Sequence, residues 1–369
     1  MEIALSRPDI TQAERDAVLE VLQTPNLSLG PKLPEFERVF AEYVGSRYAV
    51  AVNSGTSALH LCIRAIGLKP GDEVITTPFS FIASSNCILF EGGKPVFVDI
   101  HPETWNIDPD LIEAAITPRT RAILPVDVFG HIADMPRIRQ IADKYGLRVI
   151  EDSCEALGAA LNGKKAGTFG DAGTFGFYPN KQMTTGEGGM IVTDDGQIRD
   201  LAVSMRSQGR GSGGGWLAHE RLGYNYRLSD INCALGIAQM KRVDEILSHR
   251  LNSANYYLVR LSDEKRISMQ KALPGSQVSW FVMVVRLNDD YSAEDRDQIL
   301  VRLRQQGIGC SNYFPAIHLQ PFYAREFGYK RGQFPICEAL CDRTVALPFH
   351  GLLREEEVDI ACEAFRRLL

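Results

Sequence analysis

The chain has 369 residues, 45% of them hydrophobic and 23% charged, with a formal net charge of -6. Its length predicts one large domain and one smaller one rather than a single core. Acids and bases are interspersed, so no basic patch suited to nucleic acid is expected. No apolar run approaches the roughly 18 residues that suggest a membrane span. The start, Met1 to Asp9, lacks both the basic region and the continuous apolar stretch of a signal peptide, and the expected compartment is the cytoplasm. Eight cysteines are scattered without a CxxC pair. Cys337 and Cys341 are spaced to share a helix face, but no histidines accompany them and no metal site is expected.

In chain order, β-rich runs at 48–52, 73–77, 95–100, 121–126 and 147–150 alternate with helical patterns at 56–66, 79–90 and 135–145. That alternation predicts an α/β domain with a mainly parallel sheet, whose ligand sites lie at the carboxyl ends of the strands. A further strand is expected over 171–177. The glycine-rich 208–215 segment reads as a mobile surface loop, either a cover for substrate or a plain connector. A helix over 230–247 follows, then a strand at 279–287, a helix at 296–306 and strand-like residues at 308–313. The division expected is a large α/β domain over 1–247 and a smaller α+β domain over 248–369.

Lys181 follows the 171–177 strand and opens the turn Asn180-Lys181-Gln182-Met183-Thr184-Thr185-Gly186-Glu187-Gly188-Gly189. Upstream, the apolar strand at 147–150 runs into Glu151-Asp152, and Asn53-Ser54-Gly55-Thr56 joins another strand to a helix. An amine, a carboxylate at a strand end and a helix N-terminus are the parts of a pyridoxal phosphate (PLP) site. The amine would condense with the aldehyde, Asp152 would keep the pyridine nitrogen protonated, and Gly55 and Thr56 would take the phosphate. Phe81 is placed to stack on the ring. Each feature has a plainer reading: a helix cap for Gly55-Thr56 and for Asp152, and core packing for Phe81.

Together with Gly170-Asp171-Ala172-Gly173, Phe177-Tyr178-Pro179-Asn180-Lys181, Gly223-Tyr224-Asn225-Tyr226-Arg227-Leu228, Ile317-His318-Leu319-Gln320-Pro321 and Leu347-Pro348, these motifs resemble the DegT-type nucleotide-sugar aminotransferases, a branch of the fold-type I PLP enzymes. The resemblance runs through essentially the whole chain, in order. It implies Lys181 as the cofactor lysine, Asp152 as the partner of the pyridine nitrogen, Gly55 and Thr56 as phosphate binders and Phe81 as the stacking aromatic. It also implies that Asn225 reaches the phosphate of a neighbouring subunit in a homodimer with shared sites, and that Arg227 and His318 contact substrate.

Two positions depart from the family's pattern. Gly176 stands where many relatives place a phosphate-binding serine. Glu155 stands where glutamine or histidine commonly donates to the cofactor's phenolic oxygen, so it is expected to be protonated, to share a proton with that oxygen, or to turn toward a substrate amine. The function implied is transfer of an amino group from an amino acid, L-glutamate by family habit, to a keto sugar carried on a nucleotide. A keto-cyclitol or other antibiotic-pathway ketone is the alternative acceptor. A dehydratase relative would carry histidine at position 181, and a non-catalytic PLP-binding regulator is the reading from another class.

Overall fold

The computed structural model describes residues 2–211, 213 and 217–369. Among these, seven strands form one sheet in the order Tyr48–Val52, Gly189–Thr193, Ala172–Gly176, Arg148–Asp152, Thr120–Leu124, Glu73–Thr76, Lys94–Phe97. The last five are mutually parallel, and Gly189–Thr193 runs against both of its neighbours. That reversal returns Tyr48–Val52 to the direction of the five. Six strands therefore end at one edge of the sheet, where the chain passes into Asn53, Thr77, Val98, Pro125, Ser153 and Phe177. In an open α/β sheet this carboxyl edge is where ligands bind.

The central strands are largely buried because helices cover both faces of the sheet. Glu73–Thr76 and Gly189–Thr193 are buried at every position. The second of these was not among the predicted strands. Met135–Tyr145 forms as predicted, started by the Asp134 carboxylate, which accepts the Arg137 amide, and stopped by Gly146 at φ 65°. The helix expected over 79–90 is shorter, Ala83–Leu89. Its lost turn follows Pro78, and the Phe79 amide donates to the Thr77 hydroxyl at 3.1 Å instead of entering a helix.

The helix expected over 230–247 is two, Asp230–Lys241 and Val243–Arg260. They break at Arg242, whose guanidinium binds Asp9 at 3.0 Å and Glu14 at 2.8 Å. The second helix runs through position 248, so the expected domain boundary falls inside a single helix. It packs over an antiparallel sheet of Ile267–Met269, Met283–Leu287 and Thr344–Leu347, forming a second apolar cluster that also contains Ile3. Residues 308–313 form no strand; Ile308 bridges to Ile3 and Ser311 to Ala346.

The C-terminal region is tied to the main sheet by Asp99, which accepts the amides of Ile336 at 3.0 Å and Cys337 at 2.9 Å and so caps the Pro335–Arg343 helix. Cys337 and Cys341 share a face of that helix with sulfurs 3.7 Å apart. Of the 208–215 loop, Ser212, Gly214 and Gly215 lie outside the described residues, and its flanks pair through an Arg210–His219 bridge. No helix among the described residues is long and apolar enough to cross a membrane.

Candidate active site

The Gly55–Ala65 helix starts at the carboxyl edge, directly after the Tyr48–Val52 strand. Ser54 caps it by accepting the Ser57 amide at 3.1 Å, and Ser57 in turn donates its hydroxyl to Asn53 at 2.7 Å. The amides of Gly55 and Thr56 lie in the first turn, where a helix has no carbonyl of its own to offer them, at the positive end of its dipole. Small residues press this turn onto the sheet. A Cβ at Gly55 would sit 2.9 Å from the Cys154 sulfur and 3.3 Å from the Gly176 Cα, and one at Gly189 would sit 2.4 Å from the Ser54 carbonyl oxygen. The result is a cradle of backbone donors suited to a phosphate.

Asp152 closes the Arg148–Asp152 strand and is 5% exposed. It caps no helix, because the residues after it form turns. Its carboxylate accepts the Ser84 hydroxyl at 2.7 Å and the Cys154 amide at 3.2 Å. Ser84 is steadied by Ser80, their hydroxyl oxygens 2.8 Å apart. The same segment carries Phe81, whose side chain is 60% exposed, so the rival reading of Phe81 as core packing is wrong. A large ring held out at a sheet edge suits stacking on a flat ligand.

Lys181 lies in the turn after the Ala172–Gly176 strand, its amide bonded to the Tyr178 carbonyl at 2.9 Å. Its Nζ is 3.4 Å from Glu155 Oε1 and 4.0 Å from the centre of the Phe281 ring. Glu155 is buried and accepts the Phe129 amide on Oε2 at 2.9 Å. Burial pushes its carboxyl above the ordinary range, an effect opposed by the Lys181 charge and the Phe129 amide.

The remaining expected site residues divide. Asn225 is exposed, its carbonyl accepting the Asn53 side chain at 3.4 Å. Arg227 is half-buried and donates to Gln208 Oε1 at 2.7 Å, with its pKa lowered by burial and by Arg210 and Arg206 nearby. His318 does not meet the expectation of substrate contact. It has no exposed surface, and its Nε2 is paired with Glu338 Oε1 at 2.9 Å inside the C-terminal region. A side chain so enclosed packs and pairs; it reaches no ligand. Gly176 faces the Cys154 Cβ and sulfur, each 3.5 Å from where its own Cβ would be, which is room for a serine.

Ser84, Phe281 and the Phe129 amide were not found from sequence. A backbone donor leaves no signal, and Phe281 looks like any strand aromatic. Ser84, three residues after Phe81, had the faint signal of a hydroxyl in a segment already singled out.

The chemistry of these groups fits PLP. Lys181 would hold its aldehyde carbon, Asp152 its ring nitrogen, Gly55 and Thr56 its phosphate, and Phe81 a face of its ring. Comparison with known proteins leads the same way. The chain is 41% identical over 376 residues to GDP-perosamine synthase of Caulobacter vibrioides, covering 100% of this chain and 98% of that protein. Its fold superposes on S. venezuelae DesV with a TM-score of 0.90 at 34% identity, covering 96% of this chain and 93% of the other. It also superposes on the PLP form of Spr1654 from Streptococcus pneumoniae with a TM-score of 0.95 at 29% identity, covering 100% and 98%. Residues 8–366 match the DegT/DnrJ/EryC1/StrS aminotransferase family. With that match spanning nearly its whole length, the chain belongs to this family of aminotransferases.

Proposed function

We propose that this PLP-dependent aminotransferase carries its cofactor on Lys181 and moves the amino group of an amino acid, L-glutamate by family habit, to a keto sugar attached to a nucleotide. The observation that carries this reading is the meeting of the Lys181 amine, the buried Asp152 carboxylate and the open helix start at Gly55 and Thr56 on one edge of the sheet. Bound PLP supplies the electron sink that lets an amino group leave one carbon and be kept for another. Asp152 holds the proton on the ring nitrogen that makes that sink effective, and Ser84 and the Cys154 amide fix its carboxylate. Lys181, once free, moves a proton as a general base and acid. Arg227 contacts the anionic acceptor. Asn225, exposed beside Asn53, extends to the phosphate in the partner subunit of a homodimer.

Support for a nucleotide-linked acceptor comes from the 41% identity to a protein named for making GDP-perosamine. The test is to follow the visible band of the PLP-loaded protein while amino acids are offered one at a time, then to offer ketones to the aminated form. L-Glutamate should bleach the band, and a nucleotide-linked keto sugar should restore it and be recovered as the amino sugar. Restoration at equal rate by a keto-cyclitol or a free keto sugar would contradict the proposed acceptor.

A further inference from the structure

Behind Asp152, two carboxyls meet without a cation. Side chains alternate along a strand, so Glu151 points to the face opposite Asp152. Asp127 follows the neighbouring Thr120–Leu124 strand, and its amide donates to the Asp152 carbonyl at 3.0 Å. Neither Asp127 nor Glu151 has any exposed surface, and their carboxyls are in hydrogen-bond contact with each other. Glu151 Oε1 accepts the Gly167 amide at 2.6 Å and Oε2 the Phe169 amide at 2.9 Å. Asp127 Oδ1 accepts the Ala133 amide at 3.0 Å and Oδ2 the Ser153 hydroxyl at 2.7 Å.

The charged groups on the surrounding elements are engaged elsewhere. Lys164 lies over the Phe169 ring at 4.8 Å, and Lys165 donates to the Tyr43 carbonyl at 2.5 Å. Arg139 and Arg148 bind Asp171 at 3.0 Å and 2.8 Å, Arg137 binds Asp110, and Lys144 binds Glu113 at 2.7 Å. Burial lowers the pKa of His131 to about 4, so it is neutral near pH 7, and the nearby Asp152 and Glu155 are themselves acids. Two ionised carboxylates in contact in such an enclosure repel, and one proton held between them removes the repulsion. Its place follows from the donors. Both Glu151 oxygens face backbone N–H groups that cannot turn away, whereas Asp127 Oδ2 faces a hydroxyl that can rotate to accept. Burial and the Glu151 charge accordingly push the Asp127 carboxyl well above its ordinary range, while the Gly167, Phe169 and Gly170 amides and Asp127 oppose the rise at Glu151.

We propose that Asp127 is a neutral acid that donates to the Glu151 carboxylate, and that this buried pair positions Asp152 from the rear of the sheet. Glu151 anchors the residue before Asp152 to the 167–169 turn, and the Asp127 carboxyl holds Ser153, the residue after it. Two residues beyond Asp127, the Phe129 amide reaches Glu155, so one turn bears on both acids of the site. Ionisation of Asp127 would set two negative charges against each other beneath this strand end and loosen it. Asp127 is thus a positioning residue acting through Asp152, and its functional role rests on Asp152 being the partner of the cofactor's ring nitrogen.

The experiment is denaturant unfolding of the PLP-loaded protein over a range of pH, for the wild type, Asp127→Asn and Glu151→Gln. A carboxyl raised in the folded state contributes stability that is complete below its unfolded value and is lost as pH rises toward its folded one. Above the ordinary aspartate value of 3.8, the wild type should therefore lose about tenfold per pH unit in folded-to-unfolded ratio relative to Asp127→Asn, until the folded value is reached. Glu151→Gln, which sets an NH2 group against a fixed backbone donor, should unfold more readily than Asp127→Asn at every pH. Parallel pH profiles for wild type and Asp127→Asn, or the reverse order of the two variants, would overturn the assignment of the proton. Should Asp127→Asn fail to fold, infrared spectra of Glu155→Gln decide, since that variant lacks the other raised acid: a protonated-carboxyl band must persist near pH 7, and its absence refutes the pair. The positioning role is read from PLP affinity by equilibrium dialysis. Asp127→Ala should weaken it about tenfold, as loss of a buried hydrogen bond does, and Asp127→Asn should recover most of that. Equal affinities for Asp127→Ala and wild type would remove the positioning role. A normal amino-donor rate in Asp152→Asn would instead overturn the reading of Asp152 and leave the pH profiles unaffected.

Discussion

Glu155 at the sheet edge and Glu338 in the C-terminal region are both 5% exposed, and each lies near one basic nitrogen, Lys181 Nζ at 3.4 Å and His318 Nε2 at 2.9 Å. Their carboxyls are nevertheless pushed in opposite directions. Burial raises both, but at Glu338 it is outweighed by the amides of Gly332 at 2.7 Å and Phe334 at 3.1 Å and by His318. Glu155 has one amide and a longer contact to its base, and burial wins. His318 is itself lowered by burial, against the pull of the Glu338 carboxylate. The difference teaches that depth of enclosure and the supply of fixed donors together set the direction in which a buried carboxyl is pushed.

The comparison can be broken most severely on the catalytic side. Asp152→Asn keeps the size of the side chain but removes the charge and one of the two acceptor oxygens that Ser84 and the Cys154 amide use. It should slow the amino-donor half-reaction by roughly 100-fold or more in stopped-flow absorbance, with a stability cost of about 1–3 kcal/mol from the mismatched donor. A rate within a few-fold of wild type would remove Asp152 from the mechanism.

On the structural side, Glu338→Gln leaves buried donors poorly matched and should cost about 1–3 kcal/mol at pH 7 by denaturant unfolding. The sign with pH follows from the lowered carboxyl. Its contribution is complete above the ordinary carboxylate value of 4.5 and is lost as pH falls below it, through the lower folded value, so the gap between variant and wild type should narrow in acid. His318→Gln should leave the acceptor KM within about twofold, as a side chain remote from ligand requires. A large rise in KM would restore His318 to the site.

The smallest expected effect sharpens the phosphate cradle. Gly176→Ser places its Cβ at ordinary contact with Cys154, 3.5 Å away, and adds a hydroxyl beside the helix start. PLP affinity should rise by about threefold to tenfold, the worth of one hydrogen bond, in equilibrium dialysis.

The chemistry of the site was legible where it depends on a single residue following a strand. Asp152 and Lys181 show in the sequence because a charge at the end of an apolar run is costly without a purpose. What the sequence could not supply was what meets what. Phe129 and Phe281 are 26 and 100 positions from Glu155 and Lys181, and only the crossing of strands and the docking of the C-terminal region bring them together. His318 was misassigned because a motif match carries no measure of burial. In the fold, the parallel strands and the Met135–Tyr145 helix followed from pattern and caps, whereas Gly189–Thr193 was hidden by complete burial and the break at Arg242 by ion pairs to the distant Asp9 and Glu14.

The central claim is that Lys181 is the attachment point at this edge of the sheet. Its most direct measurement is the visible absorbance spectrum of the purified protein with PLP, before and after L-glutamate, beside Lys181→Ala. The account predicts a band in the wild type that glutamate bleaches and that the variant does not form. An unchanged band in Lys181→Ala, or none in the wild type, would contradict it.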